Sequence, residues 1–287
     1  MIGRLRKRAA GAVDRRFAPL AGRLDRIEAM LASQQAALDR LAPVLGTLAV
    51  DDPGHRRQLE AMREHPDYAK PWEDPDPLVT IAIPTRDRPR LLAERALASA
   101  LAQTHERIEV LVVGDAAGPE TEAAVAAVGD PRVRFVDLTQ RFERGDGSHW
   151  LTAATLTRNL AYRMASGRWL LDLDDDDALR PDAVERLLAH AREHRVEVAY
   201  GVLESHLPDG STMLVGGFPP EHTRFGWQGG IAHAGLRFFA REHVAADLGL
   251  PGDWFRMYRM LRAGVRIAHL PEVTCDYYPS KAWGLTR

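Results

Sequence analysis

Short β-rich runs alternate with helical patterns between residues 78 and 204, and this alternation constrains the fold more than any other feature of the chain. Five runs have strand character, at 78–84, 107–115, 132–138, 168–174 and 196–204. Helical patterns separate them, at 88–103, 119–128, 151–165 and 180–194. The second run is continuously apolar at its centre, as is typical of a strand covered on both faces. The pattern predicts βαβ units, and therefore an α/β fold with a mostly parallel central sheet flanked by helices.

The pattern weakens after residue 204, where Gly, Pro and aromatic residues accumulate. One more helix is predicted at 252–264, with Gly264 at the position of a helix C-cap. The runs 265–270 and 273–278 predict two short late strands. We divide the chain into a helical segment, a linker or strap rich in Pro, Asp and Glu, and two halves of one α/β domain. Their boundaries are 1–48, 49–77, 78–204 and 205–287.

The first 48 residues carry a heptad-like apolar stripe. It consists of Val13, Phe17, Leu20, Leu24, Ile27, Leu31, Leu38, Leu41, Leu45 and Leu48, and Pro19 and Pro43 would kink or interrupt it. Three interpretations compete: an amphipathic helix packed on its own domain, a short coiled coil that forms a homodimer, and a helix lying on a membrane surface. The third interpretation rests on eight basic residues against two acidic ones in residues 1–26.

Composition narrows the class of protein. The net charge of -2 and a pI near 6.6 argue against a general nucleic-acid binder. A single cysteine, Cys275, excludes an internal disulfide and fits a reducing compartment. No apolar run approaches the roughly 20 residues that span a bilayer, and the basic N-terminus lacks the apolar core of a secretory signal. We expect a cytoplasmic protein, with residues 1–48 as the segment that would contact the inner face of a membrane.

Polar residues follow three of the predicted strands at their carboxyl ends, where α/β proteins bind ligands. They are the stretch 84–87 (PTRD), Asp115, and the run Asp174–Asp177. Four adjacent carboxylates repel one another unless a cation lies among them, and oxygen ligands suit Mg²⁺ or Mn²⁺. On an extended strand end, Asp174 and Asp176 would point to one side and Asp175 and Asp177 to the other. The alternative is a solvated acidic turn, with Asp177 capping the next helix.

The chain has no GxxxxGK[ST] loop and no GxGxxG after its first strand, which argues against a P-loop site and a dinucleotide redox site. A metal with few protein ligands usually takes substrate phosphates as its other ligands. The residues therefore predict a phosphate-bearing donor held by a metal at a strand end.

Three stretches resemble family-2 glycosyltransferases of the GT-A fold, which is Rossmann-like. Residues 79–116 match a strand that runs into P-T-x-[ND]-R, a helix ending in L-x-Q-T, and a second strand that ends in Asp. Residues 157–185 match R-N, A-x-G and D-x-D-D motifs in that order, and 252–264 match a D-[WY] helix. The resemblance covers about two thirds of the chain and implies an N-terminal helical extension on a GT-A domain.

The resemblance implies a role for each matching residue. Pro84, Thr85 and Arg86 would line the nucleotide pocket, Asp115 would accept the imide N–H of uracil or its equivalent, and Arg158 and Asn159 would lie near the nucleotide or brace its loop. Asp174 and Asp176 would bind the metal and Asp175 the ribose. Asp253 would be the general base on the acceptor hydroxyl, for which the alternative is a helix N-cap.

The sequence departs from the family's pattern at three positions. Gly114 replaces the first acid of the usual VDDGS and Ala117 replaces its serine, while Gly252 replaces a glutamate before Asp253. Some relatives use a histidine near the C-terminus on the metal or diphosphate. His269 lies in that region, but its apolar strand pattern favours a core histidine.

The resemblance implies a glycosyltransferase that depends on Mn²⁺ or Mg²⁺ and moves a sugar, with inversion, from a nucleotide-sugar donor, UDP-linked by preference. Its acceptor would be a carbohydrate or glycolipid bound by residues 205–287. Two alternatives remain open: a nucleotidyltransferase-like enzyme, which would want a Gly-rich loop after the first strand, and a non-catalytic GT-A-like binding module.

Overall fold

A computed structural model describes residues 23, 26–36, 38, 53–142, 151–222 and 224–279. The chain divides into two compact units, Met1–Ala49 and Val50–Arg287. In the first unit, residues 26–36 are helical, and Ile27, Met30, Leu31 and Leu38 have exposed side chains. The remainder of the apolar stripe, with Pro19 and Pro43, lies outside the described residues. Within the described part of the chain, every helix is too short or too polar to cross a membrane.

Nine strands of the described residues form one mixed sheet in the second unit. They are β1 (Val79–Thr85), β2 (Ile108–Gly114), β3 (Val133–Asp137), β4 (Trp169–Asp172), β5 (Ala178–Leu179), β6 (Val198–His206), β7 (Thr212–Val215), β8 (Gly230–His233) and β9 (Ile267–Tyr277). Their order is β3-β2-β1-β4-β8-β6-β9-β5, and β7 pairs with β6. β1 to β4 are parallel to one another, and β6 and β9 run in the same direction as these four strands. The other three strands are antiparallel to their neighbours, so the α/β fold with a mostly parallel sheet is confirmed.

Among the described residues, the helices predicted at 88–103, 119–128, 151–165, 180–194 and 252–264 are present, whereas those at 53–64, Lys70–Glu73 and Val244–Asp247 were not predicted. The bounds of the helices are 53–64, Lys70–Glu73, Pro119–Val128, Thr155–Met164, Ala183–Glu193, Val244–Asp247 and Gly252–Ala263, and a further helix runs from Pro89–Leu91 through a π-helical turn, Leu92–Leu97, into Ala98–Leu101. A 3₁₀ helix spans Ala234–Phe238. Gly264 ends the helix before it with φ of 91°, a left-handed conformation that glycine adopts without strain.

Side chains alternate between two buried faces of the central strands. Ile81 and Ile83 pack on one face against Leu92 and Leu97 of the first long helix. Ala82 packs on the other face with the helix Thr155–Met164, through Ala161 and Tyr162. Because both faces are covered, these strands are apolar along their length, and their carboxyl ends meet at one edge of the sheet.

The C-terminal region forms one long strand, β9, rather than the two short strands predicted at 265–270 and 273–278. β9 pairs with β6 along most of its length, and the register shifts between Tyr200 and Leu203. Pro271 lies in this irregular stretch and has no N–H to donate to the ladder. The register shift accommodates the proline, so the strand continues across it.

Residues 53–73 lie against the α/β unit as a strap. Leu59 and Trp72 are buried in two different parts of the core. Trp72 Nε1 donates to the carbonyl of Val196 at 3.0 Å. This part of the segment 49–77 is therefore integrated into the same compact unit as the sheet, and β6 crosses the boundary drawn between residues 204 and 205.

Candidate active site

A cavity of about 400 Å³ opens at the point where the strand order of the sheet reverses. β1 has β2 on one side and β4 on the other. Ligands of α/β proteins bind outside the carboxyl ends of the strands at such a switch point. Residues following β1, β2 and β4 line this cavity, and the start of the helix Gly252–Ala263 contributes another part of its wall.

Nine of the ten site residues proposed from the sequence line this cavity. They are Pro84, Thr85, Arg86, Asp115, Arg158, Asp174, Asp175, Asp176 and Asp253. Asn159 is the exception among the described residues that were proposed. Its side chain donates to the carbonyl of Arg241 and accepts from the amide of Arg241, both at 2.9 Å, so it braces the loop that carries Arg241.

The aspartates after β4 form a turn rather than an extended strand end. The amide of Asp177 donates to the carbonyl of Asp174 at 3.2 Å. The predicted alternation of the four side chains is therefore wrong: Asp174, Asp175 and Asp176 all line the cavity. Asp177 is buried instead, and it does not cap the next helix, which begins at Ala183. Its Oδ1 accepts from the amide of Tyr278 at 2.8 Å, which ties the turn to the end of β9.

Burial makes the ionised form of these carboxylates unfavourable. It raises the pKa of Asp175 to about 6. It also raises the pKa of Asp176, with Asp174 as the next cause, and the pKa of Asp177 lies well above its ordinary value for the same reasons. A divalent cation would relieve this cost, and carboxylate oxygens are the donors that Mg²⁺ and Mn²⁺ prefer. The three cavity-lining aspartates therefore fit such an ion.

A guanidinium group contacts two of these aspartates. Arg88 Nη1 lies 3.0 Å from Asp175 Oδ1 and also contacts Asp176 Oδ2. The sequence reasoning did not select Arg88, although it is the last residue of the P-T-x-[ND]-R motif. Arg95 donates to the carbonyl of Asp176 at 2.5 Å, and its guanidinium lies 3.8 Å from the ring centroid of Tyr278.

Asp174 is held by side chains from two other elements. Arg158 contacts its Oδ1, and Gln228 Nε2 donates to its Oδ2 at 2.6 Å. Gln228 lies in the loop before β8, and no motif in the sequence marks it. Its place in the site depends on β8 pairing with β4, which is a tertiary contact.

A buried charge cluster lies below the cavity, and of its members only Arg158 was proposed from the sequence. Asp172 accepts from Tyr162 Oη at 2.6 Å and from Arg241 Nη2 at 2.9 Å, and Arg158 Nη1 lies 3.4 Å from its other oxygen. Although burial opposes ionisation, these arginines hold the pKa of Asp172 below its ordinary value. With Arg256 included, three guanidinium groups surround one carboxylate, and Arg158 and Arg241 both reach the cavity wall.

The loop after β2 explains one departure from the family's pattern. A Cβ atom on Gly114 would lie 2.2 Å from Asp137 Oδ1. Asp137, the last residue of β3, accepts from the amides of Ala117 and Gly118, both at 2.9 Å. A carboxylate from β3 therefore holds this loop, and Gly114 leaves the space for it. The signal in the sequence is the polar end of the third strand, which the sequence reasoning did not use.

Asp115 is buried at the carboxyl end of β2, beside the end of β1. Its amide donates to the carbonyl of Thr85 at 2.9 Å, and its Oδ2 lies 3.5 Å from Arg86 Nη1. Thr85 Oγ1 donates to Asp175 Oδ2 at 2.8 Å. The first-strand motif thus connects Asp115 with the aspartate turn through contacts of 2.8 to 3.5 Å.

Asp253 lies in the first turn of the helix Gly252–Ala263, and Pro251 is the N-cap residue. The N-cap alternative for Asp253 is therefore wrong. Its Oδ1 accepts from the amide of Trp254 at 2.7 Å, which orients the carboxylate at the cavity wall. Gly252 also lines the cavity, so the glutamate that it replaces would have added a second carboxylate there.

The aromatic residues of the C-terminal half divide between the cavity and the core. Tyr277, Tyr278 and Trp227 line the cavity. His269 packs against Tyr200, with ring centroids 5.0 Å apart, and it does not line the described cavity. This position favours the interpretation of His269 as a core histidine.

Comparison with protein families gives a match over most of the sheet. The sequence profile of glycosyl transferase family 2 matches residues 80–234. The succinoglycan biosynthesis protein ExoO of Rhizobium meliloti is 38% identical over 119 residues, which are 42% of this chain and 31% of ExoO. The UDP-Glc:alpha-D-GlcNAc-diphosphoundecaprenol beta-1,3-glucosyltransferase WfgD of Escherichia coli is 28% identical over 129 residues, 45% of this chain and 47% of WfgD. The chain thus matches less than half the length of either relative.

Solved structures share the fold. TarS 1-349 of S. aureus in complex with UDP superposes with a TM-score of 0.55 at 18% identity, over 70% of this chain and 60% of that one. The mannosyltransferase PcManGT from Pyrobaculum calidifontis, in complex with GDP-Man and Mn²⁺, superposes with a TM-score of 0.53 at 19% identity. That match covers 85% of this chain and 68% of PcManGT.

Proposed function

Because this chain belongs to glycosyl transferase family 2, we propose that it transfers a sugar from a nucleotide-sugar donor to an acceptor hydroxyl, with inversion and with help from a divalent cation. One observation carries the proposal: Asp115, the turn Asp174–Asp176 and Asp253 line the same cavity. Family membership also makes the nucleotidyltransferase and the non-catalytic module unnecessary as explanations of the site.

The donor would lie across the ends of β1, β2 and β4. Asp115 would accept from the base, and Asp175 would reach the ribose. A UDP-linked donor is our first choice because WfgD is named for UDP-Glc and TarS was solved with UDP. PcManGT holds GDP-Man on the same fold, so the base must be determined by binding experiments.

Asp174 and Asp176 would hold Mn²⁺ or Mg²⁺. When bound, such an ion supplies positive charge that stabilises the leaving diphosphate. The cluster below the cavity would assist, since Arg158 and Arg241 carry more positive charge than Asp172 can neutralise. Preorganised charges of this kind lower the barrier because they need not reorient during the reaction.

Asp253 would accept the proton of the acceptor hydroxyl. The helix start fixes its position, and the amide of Trp254 fixes one of its oxygens, so the other oxygen can be aimed at the acceptor. Tyr277, Tyr278 and Trp227 would form the adjacent wall for the acceptor sugar, because flat aromatic faces pack against sugar rings.

The acceptor would be a carbohydrate or a glycolipid, recognised by residues 205–287. WfgD is named for a diphosphoundecaprenol-linked acceptor, which supports the glycolipid class. Residues 1–48 would then contact the membrane surface or a second copy of the chain. The exposed apolar side chains of the helix 26–36 are consistent with either use.

Two conservative substitutions test the assignment of donor and acceptor roles. Asp176→Asn is expected to abolish metal-dependent nucleotide binding, measured by isothermal titration of UDP, GDP and dTDP with and without Mn²⁺. Asp253→Asn should leave that binding intact and stop sugar transfer. Transfer by Asp253→Asn at the wild-type rate would show that Asp253 is not the base.

A further inference from the structure

We propose that Arg88 is a donor-binding residue that exchanges places with the divalent cation. In the metal-free protein it holds Asp175 and Asp176; when cation and donor bind, it leaves these carboxylates and pairs with the donor's diphosphate. This inference rests on the proposed function, since it requires a metal at the aspartate turn.

The contacts of Arg88 are the first step of the argument. A single nitrogen, Nη1, lies 3.0 Å from Asp175 Oδ1 and also contacts Asp176 Oδ2. One cationic group therefore bridges two carboxylates, and one of them, Asp176, is a proposed ligand of the divalent cation. Because these carboxylates are buried beside other aspartates, their ionised form is unfavourable in free energy unless a cation lies next to it.

The second step is competition for the same oxygens. Arg88 and a divalent ion compete for Asp176 Oδ2, because two cations held at one carboxylate repel each other. Asp174 differs, because Arg158, which contacts it, is almost fully buried and also lies 3.4 Å from Asp172. The side chain of Arg88 is 42% exposed, so it can turn away at low cost, whereas Arg158 is fixed.

The third step is where Arg88 goes. It lines the same cavity as Asp115 and Asp253, within the space that we assign to the donor. Once the cation binds Asp176 and the donor's ribose binds Asp175, the strongest anion within the cavity is the donor's diphosphate. Planar guanidinium groups bind phosphate oxygens through two parallel hydrogen bonds. The hydrogen bonds that Arg88 forms with the diphosphate therefore replace those that it loses at the aspartates.

Arg90 offers a matched control two residues away. Its side chain is 83% exposed, pairs with Glu94 at 2.8 Å on the helix surface, and is not part of the cavity wall. Arg88→Gln and Arg90→Gln remove the same charge from the same loop and helix start. A difference between them therefore reports the bridging contact rather than the net charge of the protein.

The first measurement uses Mn²⁺ alone, followed by electron paramagnetic resonance of the free ion. Arg88→Gln is expected to bind Mn²⁺ about fivefold more tightly than Arg90→Gln, which should match the wild type. Arg88→Lys keeps the charge and should stay close to the wild type. Thermal unfolding of each variant checks that the fold is intact. Equal or weaker Mn²⁺ binding by Arg88→Gln would overturn the exchange.

The second measurement uses UDP at saturating Mn²⁺. Arg88→Gln should bind UDP about tenfold more weakly than Arg90→Gln, while uridine, which has no phosphate, should bind both equally. Equal UDP affinities would overturn the diphosphate contact. If the wild type bound neither Mn²⁺ nor UDP, the proposed function would fail together with this inference. If it bound both and the two variants behaved alike, only the role of Arg88 would fail.

Discussion

The substitution Glu197→Gln tests what holds the strap to the α/β unit. Glu197 is fully buried and directly precedes β6. Arg63 binds it through two bonds, Nε to Oε1 at 2.7 Å and Nη2 to Oε2 at 3.0 Å. Tyr68 Oη donates at 2.5 Å and the amide of Arg266 at 2.6 Å. The carboxylate therefore connects the strap, β6 and the start of β9.

The expected loss of stability follows from these bonds. Glutamine keeps the shape, but its amide group turns a donor toward Arg63 or the Arg266 amide, so at least one charge-assisted bond is lost and another weakens. Each such bond contributes about 1.5–3 kcal/mol, and breaking a buried ion pair costs about 3–5 kcal/mol. Arg63 is partly exposed and can regain water, so we expect about 3 kcal/mol. For a unit of this size the melting temperature should fall by about 6–12 °C.

The pH dependence gives an independent check. Although burial opposes ionisation, Arg63 and Tyr68 hold the pKa of Glu197 below its ordinary value. A carboxylate with a lowered folded-state pKa stabilises the fold above its unfolded pKa, about 4.3, and this contribution is lost as the pH falls through the folded value. The stability difference between wild type and Glu197→Gln should therefore be constant near neutral pH and shrink below about pH 4.

Urea unfolding followed by tryptophan fluorescence measures this difference, because Trp72 of the strap and Trp169 of β4 are both buried. Glu60→Gln is the control, since Glu60 is exposed on the helix 53–64, which also carries Arg63, and the substitution removes the same charge. A loss below about 1 kcal/mol for Glu197→Gln, or an equal loss for Glu60→Gln, would refute the idea that this carboxylate anchors the strap.

Three further predictions concern the cavity and the N-terminal unit. Gly114→Ala should displace Asp137 from the amides of Ala117 and Gly118, because the added Cβ takes the space of its carboxylate. Titrations should then show UDP binding weakened about tenfold and Mn²⁺ binding unchanged. Unaltered UDP affinity would count against a role for Asp137 in shaping this loop. Burial raises the pKa of Asp176, a proposed metal ligand, and raises that of the neighbouring Asp175 to about 6. Protons on Asp176 should compete with Mn²⁺, and a proton on Asp175 removes a negative charge beside the ion, so the Mn²⁺ affinity should fall below pH 6; a flat profile between pH 5 and 7 would contradict this. Deleting residues 1–48 should change oligomer size in light scattering or binding to anionic vesicles but leave nucleotide affinity unchanged, and no change in either property would remove both functional interpretations of that segment.

Local chemistry determined much of this protein. The continuous apolar runs and the helical spacing between them were enough to predict the α/β sheet, because burial on both faces requires that pattern wherever the strands end up. Polar residues at the strand ends predicted where a ligand would bind, since parallel strands place those ends together. Gly264 ended a helix as expected, because the left-handed conformation depends only on local sterics.

Tertiary structure alone decided which side chains make up the site. A turn brings Asp174, Asp175 and Asp176 to one cavity and sends Asp177 inward, which an extended-strand rule could not foresee. Gln228, Arg241 and Asp137 reach the site or its supporting loops from distant parts of the chain, and Arg88 reaches the aspartates across about 90 residues. Such contacts depend on which strands pair and on the space left between the packed elements. The local periodicity of a sequence predicts neither of these.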